Sequence, residues 1–277
     1  MNQWLLAAVC GLYLVGQSHR GLWLPDEPRD AGIAWEMAHT GDGVVPRLNG
    51  EPFLEKPPLS YAAAALSLRL WPGDPETAVR IPAALFCLGT LALTFWMGRK
   101  LLGAEVGMMA AALLGTSWEF MNLGHTCIVD TGLVFWVALV MASALGEFWL
   151  LCGAALGLAF LSKGPIGILL PGAGLGVFLL LRRKWGAVPW IAIPCVLLTG
   201  LWLLALDGAG QLQPYLDEQV RRVGANVEHA KPPYFYLYKM FEDFAPWSAL
   251  IPFLAVWLWR KRPAGLLLPL LWFLGAL

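Results

Sequence analysis

Long apolar runs separated by short polar turns follow one another along most of the chain. A helix needs about 20 mainly apolar residues to cross the hydrocarbon core of a bilayer, and fewer where protein shields its ends. By this rule the pattern predicts helices near residues 3–22, 78–98, 103–120, 128–146, 148–162, 165–181, 186–206, 246–259 and from 264 onward. The sequence therefore predicts an all-α, polytopic transmembrane helical bundle.

Two long polar segments, 23–77 and 207–245, interrupt the apolar pattern. They are the predicted large external loops of a single transmembrane domain that covers residues 1–277. The apolar run from 264 onward stops before it is long enough to span a bilayer. We therefore expect the sequence to be the N-terminal part of a longer protein.

The segment 23–77 is expected to contain two juxtamembrane helices. Near 30–38, apolar residues are mixed with charged ones, which predicts a short helix along the membrane interface that ends near Gly41. Pro58 favours the first turn of a second amphipathic helix, which runs to Trp71. The sequence between the two helices predicts an irregular loop.

The basic residues indicate how the helices are oriented. If the N-terminus is cytoplasmic, three short loops on the cytoplasmic side carry the basic clusters Arg99–Lys100, Arg182–Lys184 and Arg260–Arg262. This arrangement satisfies the positive-inside rule. The two large polar segments and the other polar turns then share the external face, which predicts a single site at that surface.

Composition supports a membrane protein and excludes several other classes. The chain has 277 residues, of which 58% are hydrophobic and only 14% charged, and its formal net charge is zero. Because the net charge is zero, the sequence has no excess of basic residues that would indicate a nucleic-acid partner. The five cysteines are scattered through apolar segments without a CxxC pair, so we interpret them as buried apolar residues.

Asp26 and Glu27 directly follow the first predicted span. Adjacent carboxylates at a helix exit are often a solvated cap. At the mouth of a bundle, however, Asp26 could act as a base that deprotonates an acceptor hydroxyl.

Glu55 and Lys56 precede two prolines that restrict the backbone. They could form a simple ion pair. Because neighbours in an extended chain point to opposite faces, one could instead meet a metal and the other a phosphate.

Asp130 and Lys163 are isolated charges beside apolar runs. Lys163 could extend its ammonium to the membrane interface. Since ionisable groups within a membrane need a partner, an ion pair of Lys163 with Asp130 or with Asp26 is the preferred alternative.

His229 lies in a basic stretch of the segment 207–245. It could be a surface histidine or, with a carboxylate, a metal ligand. Arg221 and Arg222, together with Lys231 and Lys239, would suit a phosphate or an anionic lipid head group.

Several motifs occur in a recognisable order: Asp26-Glu27-Pro28-Arg29, the run GDGVVPRLNG at 41–50, FLEKPP at 53–58, SKGP at 162–165, and HAKP followed by YFY and PW within 229–247. With Asp130, they resemble the membrane glycosyltransferases of GT-C type that use polyprenyl-phosphate sugars. That superfamily includes protein O-mannosyltransferases and lipid A aminoarabinose transferases.

The resemblance implies a role for each matching residue. Asp26 would orient or deprotonate the acceptor, with Arg29 beside it, and Lys163 and Asp130 would brace Asp26 at the cavity floor. Lys56, with Arg29, would stabilise the departing lipid phosphate. Glu55 and His229 would hold a divalent metal, zinc in similar proteins, and no nucleotide or redox cofactor would be required.

The predicted function is therefore transfer of a sugar from an undecaprenyl-type phosphate donor to lipid A, a protein or a glycan. The reaction would take place at the periplasmic face of a bacterial inner membrane. Two other functions stay open: a lipid or solute transporter, and a scaffold without catalysis. A transporter would distribute charges through the depth of its helices, whereas here they collect at one surface.

Overall fold

The computed structural model of the chain describes residues 3–18, 20–228 and 232–261. The α-helices within these residues are α1 (Gln3–Leu12), α2 (Asp26–Thr40), α3 (Leu59–Leu70), α4 (Pro75–Leu102), α5 (Ala104–Gly115), α6 (Trp118–Leu123), α7 (Asp130–Gly146), α8 (Trp149–Lys163), α9 (Ile166–Leu181), α10 (Val188–Gly208), α11 (Leu212–Glu228), α12 (Pro233–Asp243) and α13 (Ile251–Lys261). Short 3-10 helices cover Trp185–Ala187 and Trp247–Leu250. One antiparallel hairpin joins β1 (Arg47–Leu48) to β2 (Glu51–Pro52).

Within the described residues, two helices are long and apolar enough to cross a membrane by length and composition. They are α4 and the continuous helix Trp185–Gly208, which includes α10. Five further helices are apolar but shorter, namely α3, α5, α7, α8 and α9.

Glycines let the bundle helices pack closely. A Cβ on Gly98 of α4 would lie 2.6 Å from the Cα of Gly107 in α5, and a Cβ on Gly153 of α8 would lie 2.1 Å from the Ile191 carbonyl oxygen in α10. Helices in membranes associate through such small residues, because close backbone approach supplies the packing that lipid cannot.

The observed helices differ from the predicted ones in three places. The predicted helix 3–22 ends at Leu12, where Nε2 of His125 lies 3.1 Å from the carbonyl oxygens of both Leu12 and Val15. The predicted helix 103–120 is broken between α5 and α6. The segment 207–245, predicted as a loop, contains α11 and α12. The run from 264 onward lies outside the described residues.

Both predicted juxtamembrane helices are confirmed, as α2 and α3. Gly41 ends α2 in the left-handed conformation, with φ of 77°, and Pro58 precedes α3. Between them, the carboxylate of Glu36 accepts the backbone N–H groups of Asn49 (2.5 Å) and Gly50 (3.1 Å). The predicted irregular loop is thus a hairpin anchored to α2.

A buried ion pair fixes the start of α2. Arg80 of α4 is fully buried and donates Nε to Oε1 of Glu27 (2.7 Å) and Nη2 to Oε2 (3.1 Å). Its guanidinium also donates to the carbonyl oxygens of Gln17 (2.7 Å), Arg20 (3.0 Å) and Gly21 (3.0 Å). The pair therefore holds the chain that precedes α2 against α4.

The Glu27 carboxylate receives two further hydrogen bonds, from the backbone N–H groups of Trp23 (2.8 Å) and Cys127 (3.0 Å). Burial alone would raise the pKa of Glu27. The hydrogen bonds from Arg80, Trp23 and Cys127 outweigh burial and hold the pKa below its usual value. Glu27 thus joins α2, α4 and the segment before α7 as an ionised group.

Candidate functional site

A cavity of about 340 Å³ lies where the loop before α3, the α8–α9 turn and α11 meet. Its polar walls carry Glu55, Lys56, Lys163, Gln219 and Arg222, and its apolar wall carries Pro165, Ile166 and Leu169. The structure therefore brings together four predicted site residues from three distant parts of the sequence. Ile166 and Leu169 are 45% and 66% exposed, so the start of α9 presents an apolar surface beside the charged groups.

Lys163 forms an ion pair with Asp130. Lys163 is the last residue of α8 and Asp130 the first of α7, so two helix ends meet at the cavity. Of the two pairings that the sequence leaves open for Lys163, the structure has the one with Asp130. A carboxylate in the first turn of a helix also interacts favourably with the helix dipole.

Helix α11 fixes the loop that carries Glu55 and Lys56. Nη1 of Arg222 donates to Oε2 of Glu55 at 2.7 Å, and Nε2 of Gln219 donates to the carbonyl oxygens of Leu54 and Glu55, each at 3.2 Å. Gln219 is not among the predicted site residues, because the segment 207–245 has the pattern of a loop. Gln219 and Arg222 are three residues apart, a spacing that places both on one helix face.

Asp30 is a buried carboxylate that is not among the predicted site residues. It is 2% exposed, accepts Nε of Arg29 at 3.0 Å, and its Oδ2 lies 4.0 Å from Nζ of Lys56. Burial raises the pKa of Asp30, although Lys56 and Arg29 oppose the change. A charge four residues after Asp26 on a helix with a buried face was the available signal.

Lys56 is largely enclosed, with 14% of its side chain exposed. Burial lowers its pKa, and the positive charges of Arg29 and Lys163 act in the same direction. Asp30 and Asp130 oppose the change by favouring the ammonium. Lys56 therefore lies between a buried carboxylate and the cavity.

Asp26 is not one of the described residues that line the cavity. Its Oδ1 pairs with Nη2 of Arg29 at 2.8 Å, and its side chain is 57% exposed. Lys163 and Asp130, which are expected to brace Asp26, pair with each other, and the ion pair that the structure gives Asp26 is with Arg29. Arg29 is the cation beside Asp26, and Asp30 connects Arg29 to Lys56.

The remaining predicted residues lie apart from the cavity or outside the described chain. Arg221 pairs with Glu218 on its own helix at 2.7 Å, and its side chain is 75% exposed. It is not one of the described residues that line the cavity. His229, the predicted partner of Glu55 in a metal site, lies outside the described residues.

A metal site needs more donors than the described residues supply. Glu55 is ion-paired with Arg222, and no group of three or more His, Cys, Asp or Glu side chains within residues 3–18, 20–228 and 232–261 could hold a metal. Because zinc normally takes four ligands, these residues do not form a metal site by themselves.

The fold and the site define a helical membrane protein with a cavity that is lined by cations at one end of its bundle. Residues 55–206 match the family described as dolichyl-phosphate-mannose-protein mannosyltransferase. This match covers more than half of the chain, so the chain belongs to that family.

Curated relatives carry the name undecaprenyl phosphate-alpha-4-amino-4-deoxy-L-arabinose arabinosyl transferase. The protein from Edwardsiella ictaluri is 29% identical, over 90% of this chain and 49% of its own length. A protein of that name from Pseudomonas aeruginosa is 32% identical, over 97% of this chain and 54% of its own length. The chain thus spans about half the length of the curated relatives it matches.

Solved structures share the fold. The crystal structure of ArnT from Cupriavidus metallidurans bound to undecaprenyl phosphate superposes with a TM-score of 0.81 at 24% identity, over 97% of this chain and 53% of that one. The apo structure of the same protein gives 0.78. The chain is therefore a polytopic transmembrane helical bundle of this architecture.

Proposed function

We propose that the protein is an integral membrane glycosyltransferase that moves a sugar from an undecaprenyl-type phosphate carrier to lipid A, a protein or a glycan. The observation that carries this proposal is the cavity that places Lys56, Lys163 and Arg222 beside the exposed apolar start of α9. A lipid phosphate needs both surfaces: cations for its head group and an apolar wall for its chain. The names of the curated relatives support the same substrate class.

The proposed reaction is a single inverting displacement. The acceptor hydroxyl oxygen forms a bond to the anomeric carbon while the bond from that carbon to the phosphate oxygen breaks, and the phosphate leaves with the electron pair. Lys56 and Arg222, which line the cavity, stabilise the negative charge that grows on the phosphate, with Arg29 behind Lys56. Asp26 takes the proton from the acceptor, and Asp130 holds Lys163 at the cavity wall.

We further propose that the site faces the periplasm of a bacterial inner membrane and that the N-terminus is cytoplasmic. The cavity lies at the start of α7 and α9 and the end of α8, whereas the basic cluster at 182–184 follows the opposite end of α9. The positive-inside rule assigns such a cluster to the cytoplasm.

A transporter and a scaffold are the competing functions. Transfer of sugar would be tested by mass spectrometry of lipid A and surface glycans from cells with and without the full-length gene. We expect a mass increase of one sugar in one of these acceptors. A transporter would instead change the distribution of a lipid without any new glycoside, and a scaffold would change neither, so either result would overturn the proposal.

Replacement of Lys56 by methionine is expected to weaken donor binding about 10- to 100-fold, which corresponds to one hydrogen bond to a charged group. Binding of undecaprenyl phosphate to the purified full-length protein measures this loss. Lys184→Met is the matched control, because Lys184 pairs with Glu147 at 2.9 Å in an exposed ion pair beyond the opposite end of α9. Equal affinity of the Lys56→Met variant and the wild type would remove Lys56 from the donor site.

We also propose that Glu55 and His229 hold a divalent metal, with zinc as the first candidate. The double variant Glu55→Gln/His229→Ala is then expected to lose bound metal, as measured by elemental analysis of the purified protein. The control is Glu218→Gln/His39→Ala, which makes the same two changes elsewhere. Unchanged metal content in the first variant would reject this ligand pair.

A further inference from the structure

Buried polar atoms without a hydrogen-bond partner cluster behind the charged cavity. They include Oδ2 of Asp30 in α2, Oγ of Ser60, the hydroxyl of Tyr61 in α3, and Oγ of Ser162 in α8, none of which has a hydrogen-bond partner among the described residues. Folded proteins pair nearly all buried polar groups, with protein or with ordered water. Several unpaired atoms from three elements therefore indicate a common partner.

A small cavity is lined by three of these residues. It has a volume of about 20 Å³, and its lining includes Asp30, Ser60 and Tyr61. A site that holds one water molecule needs at least about 10–15 Å³ by this kind of measure. The cavity is thus large enough for one water molecule.

Two serine hydroxyls lie close to one glycine beside this cavity. A Cβ placed on Gly132 of α7 would lie 2.9 Å from Oγ of Ser60 and 3.5 Å from Oγ of Ser162. The two serine hydroxyls therefore approach one small gap between α3, α7 and α8.

Charge distinguishes a water molecule from a bound cation. Asp30 has Nε of Arg29 at 3.0 Å from one oxygen and Nζ of Lys56 at 4.0 Å from the other. These two cations already compensate the single negative charge of the carboxylate, and they would repel a metal ion at the same place. A neutral molecule that both donates and accepts hydrogen bonds satisfies the site better.

We propose that one internal water molecule occupies this cavity and joins Asp30 of α2 to Ser60 and Tyr61 of α3. The water donates one hydrogen to Oδ2 of Asp30 and the other to Oγ of Ser60, and it accepts the hydroxyl hydrogen of Tyr61. It thereby completes the hydrogen bonding of the carboxylate on which Arg29 and Lys56 converge. This inference is independent of the proposed transferase activity.

The sign of a stability change tests the proposal. If the water is present, Tyr61→Phe removes a hydrogen bond, and we expect the melting temperature of the purified full-length protein to fall by about 2–4 °C. If the cavity is empty, the same change removes an unpaired hydroxyl and the melting temperature rises. Tyr238→Phe is the control, since Tyr238 is 66% exposed and its change should be neutral. An unchanged or raised melting temperature for Tyr61→Phe contradicts the proposal.

Two further measurements distinguish the occupant. The melting temperature should be equal in sodium chloride and in choline chloride of the same concentration, and stabilisation by sodium would indicate a cation instead of water. A map of the protein at a resolution that resolves waters should contain one peak within hydrogen-bonding distance of the Asp30, Ser60 and Tyr61 oxygens. A map without that peak would overturn the proposal.

Discussion

Replacing Arg80 by methionine is expected to lower the free energy of unfolding by about 3–5 kcal/mol, the usual cost of removing one partner of a buried ion pair. The variant leaves the carboxylate of Glu27 buried without its cation, at 1% residue exposure. It also removes the donors to the carbonyl oxygens of Gln17, Arg20 and Gly21. Chemical unfolding of the purified protein in detergent micelles measures the loss.

The pH dependence of the free energy of unfolding tests whether the loss of stability in Arg80→Met comes from the unpaired Glu27 carboxylate. In the wild type the pKa of Glu27 is lowered, so its contribution to stability is present at neutral pH and is lost as the pH falls through the lowered pKa. In the variant, the carboxylate of Glu27 is buried without a cation, so its charge destabilises the folded protein. Protonation at low pH removes that charge and therefore stabilises the variant. The stability difference between the two proteins should therefore shrink in acid.

Two controls separate the ion pair from the loss of a long side chain. Arg47→Met removes an arginine whose Nε lies 3.8 Å from Asp42 in a partly exposed pair, and it should cost at most about 1 kcal/mol. The double variant Glu27→Gln/Arg80→Met buries no unpaired charge and should recover part of the loss. A single Arg80→Met variant as stable as Arg47→Met would contradict the expected role of the pair.

The apolar pattern predicted most of the helices because burial in a membrane imposes one requirement, a long apolar segment. It predicted the two juxtamembrane helices from a glycine and a proline, and Gly41 and Pro58 do delimit them. It failed for the end of α1, which stops at Leu12 instead of continuing to residue 22. His125 contacts the carbonyls of Leu12 and Val15, and no local pattern around residue 12 reveals this contact.

The candidate site was predicted in part for a similar reason. Charged residues in an apolar chain are conspicuous, so Lys56, Asp130 and Lys163 could be selected from the sequence, and the structure gathers them. Their partners depend on which helix faces which. Asp30 and Gln219 lie in segments that resemble ordinary amphipathic or loop sequence, and only the packing of α2 and α11 places them beside the Glu55–Lys56 loop.

These contacts connect the folding of the first polar segment to the assembly of the site. Arg80 and Glu27 fix the start of α2, and α2 in turn carries Asp26, Arg29 and Asp30. The buried pair of Arg80 and Glu27 does not line the proposed donor cavity, but the positions of the charged residues on α2 depend on it. A variant of this pair should lose stability and activity together, whereas a change at Asp26 should affect only activity.

Asp26→Asn is therefore expected to reduce the rate of sugar transfer about 10²- to 10⁴-fold, the range that a positioned general base contributes. Donor affinity should remain at the wild-type value, because Asp26 lies outside the described lining of the cavity. Stability should change little, since the carboxylate is 57% exposed and its pair with Arg29 lies at the surface. A transfer assay with a polyprenyl-phosphate sugar, combined with donor binding, measures both quantities.

Glu51→Gln is the matched control for Asp26→Asn. It makes the same carboxylate-to-amide change at an exposed residue of the hairpin that follows α2. If Asp26 is the base, only the Asp26 variant loses the rate while both variants bind donor and remain in the membrane. If the Asp26→Asn variant transfers sugar at the wild-type rate, then Asp26 is not the base. Asp30 contacts both Arg29 and Lys56, and Lys56 lines the cavity. Asp30 would then be the next carboxylate to replace.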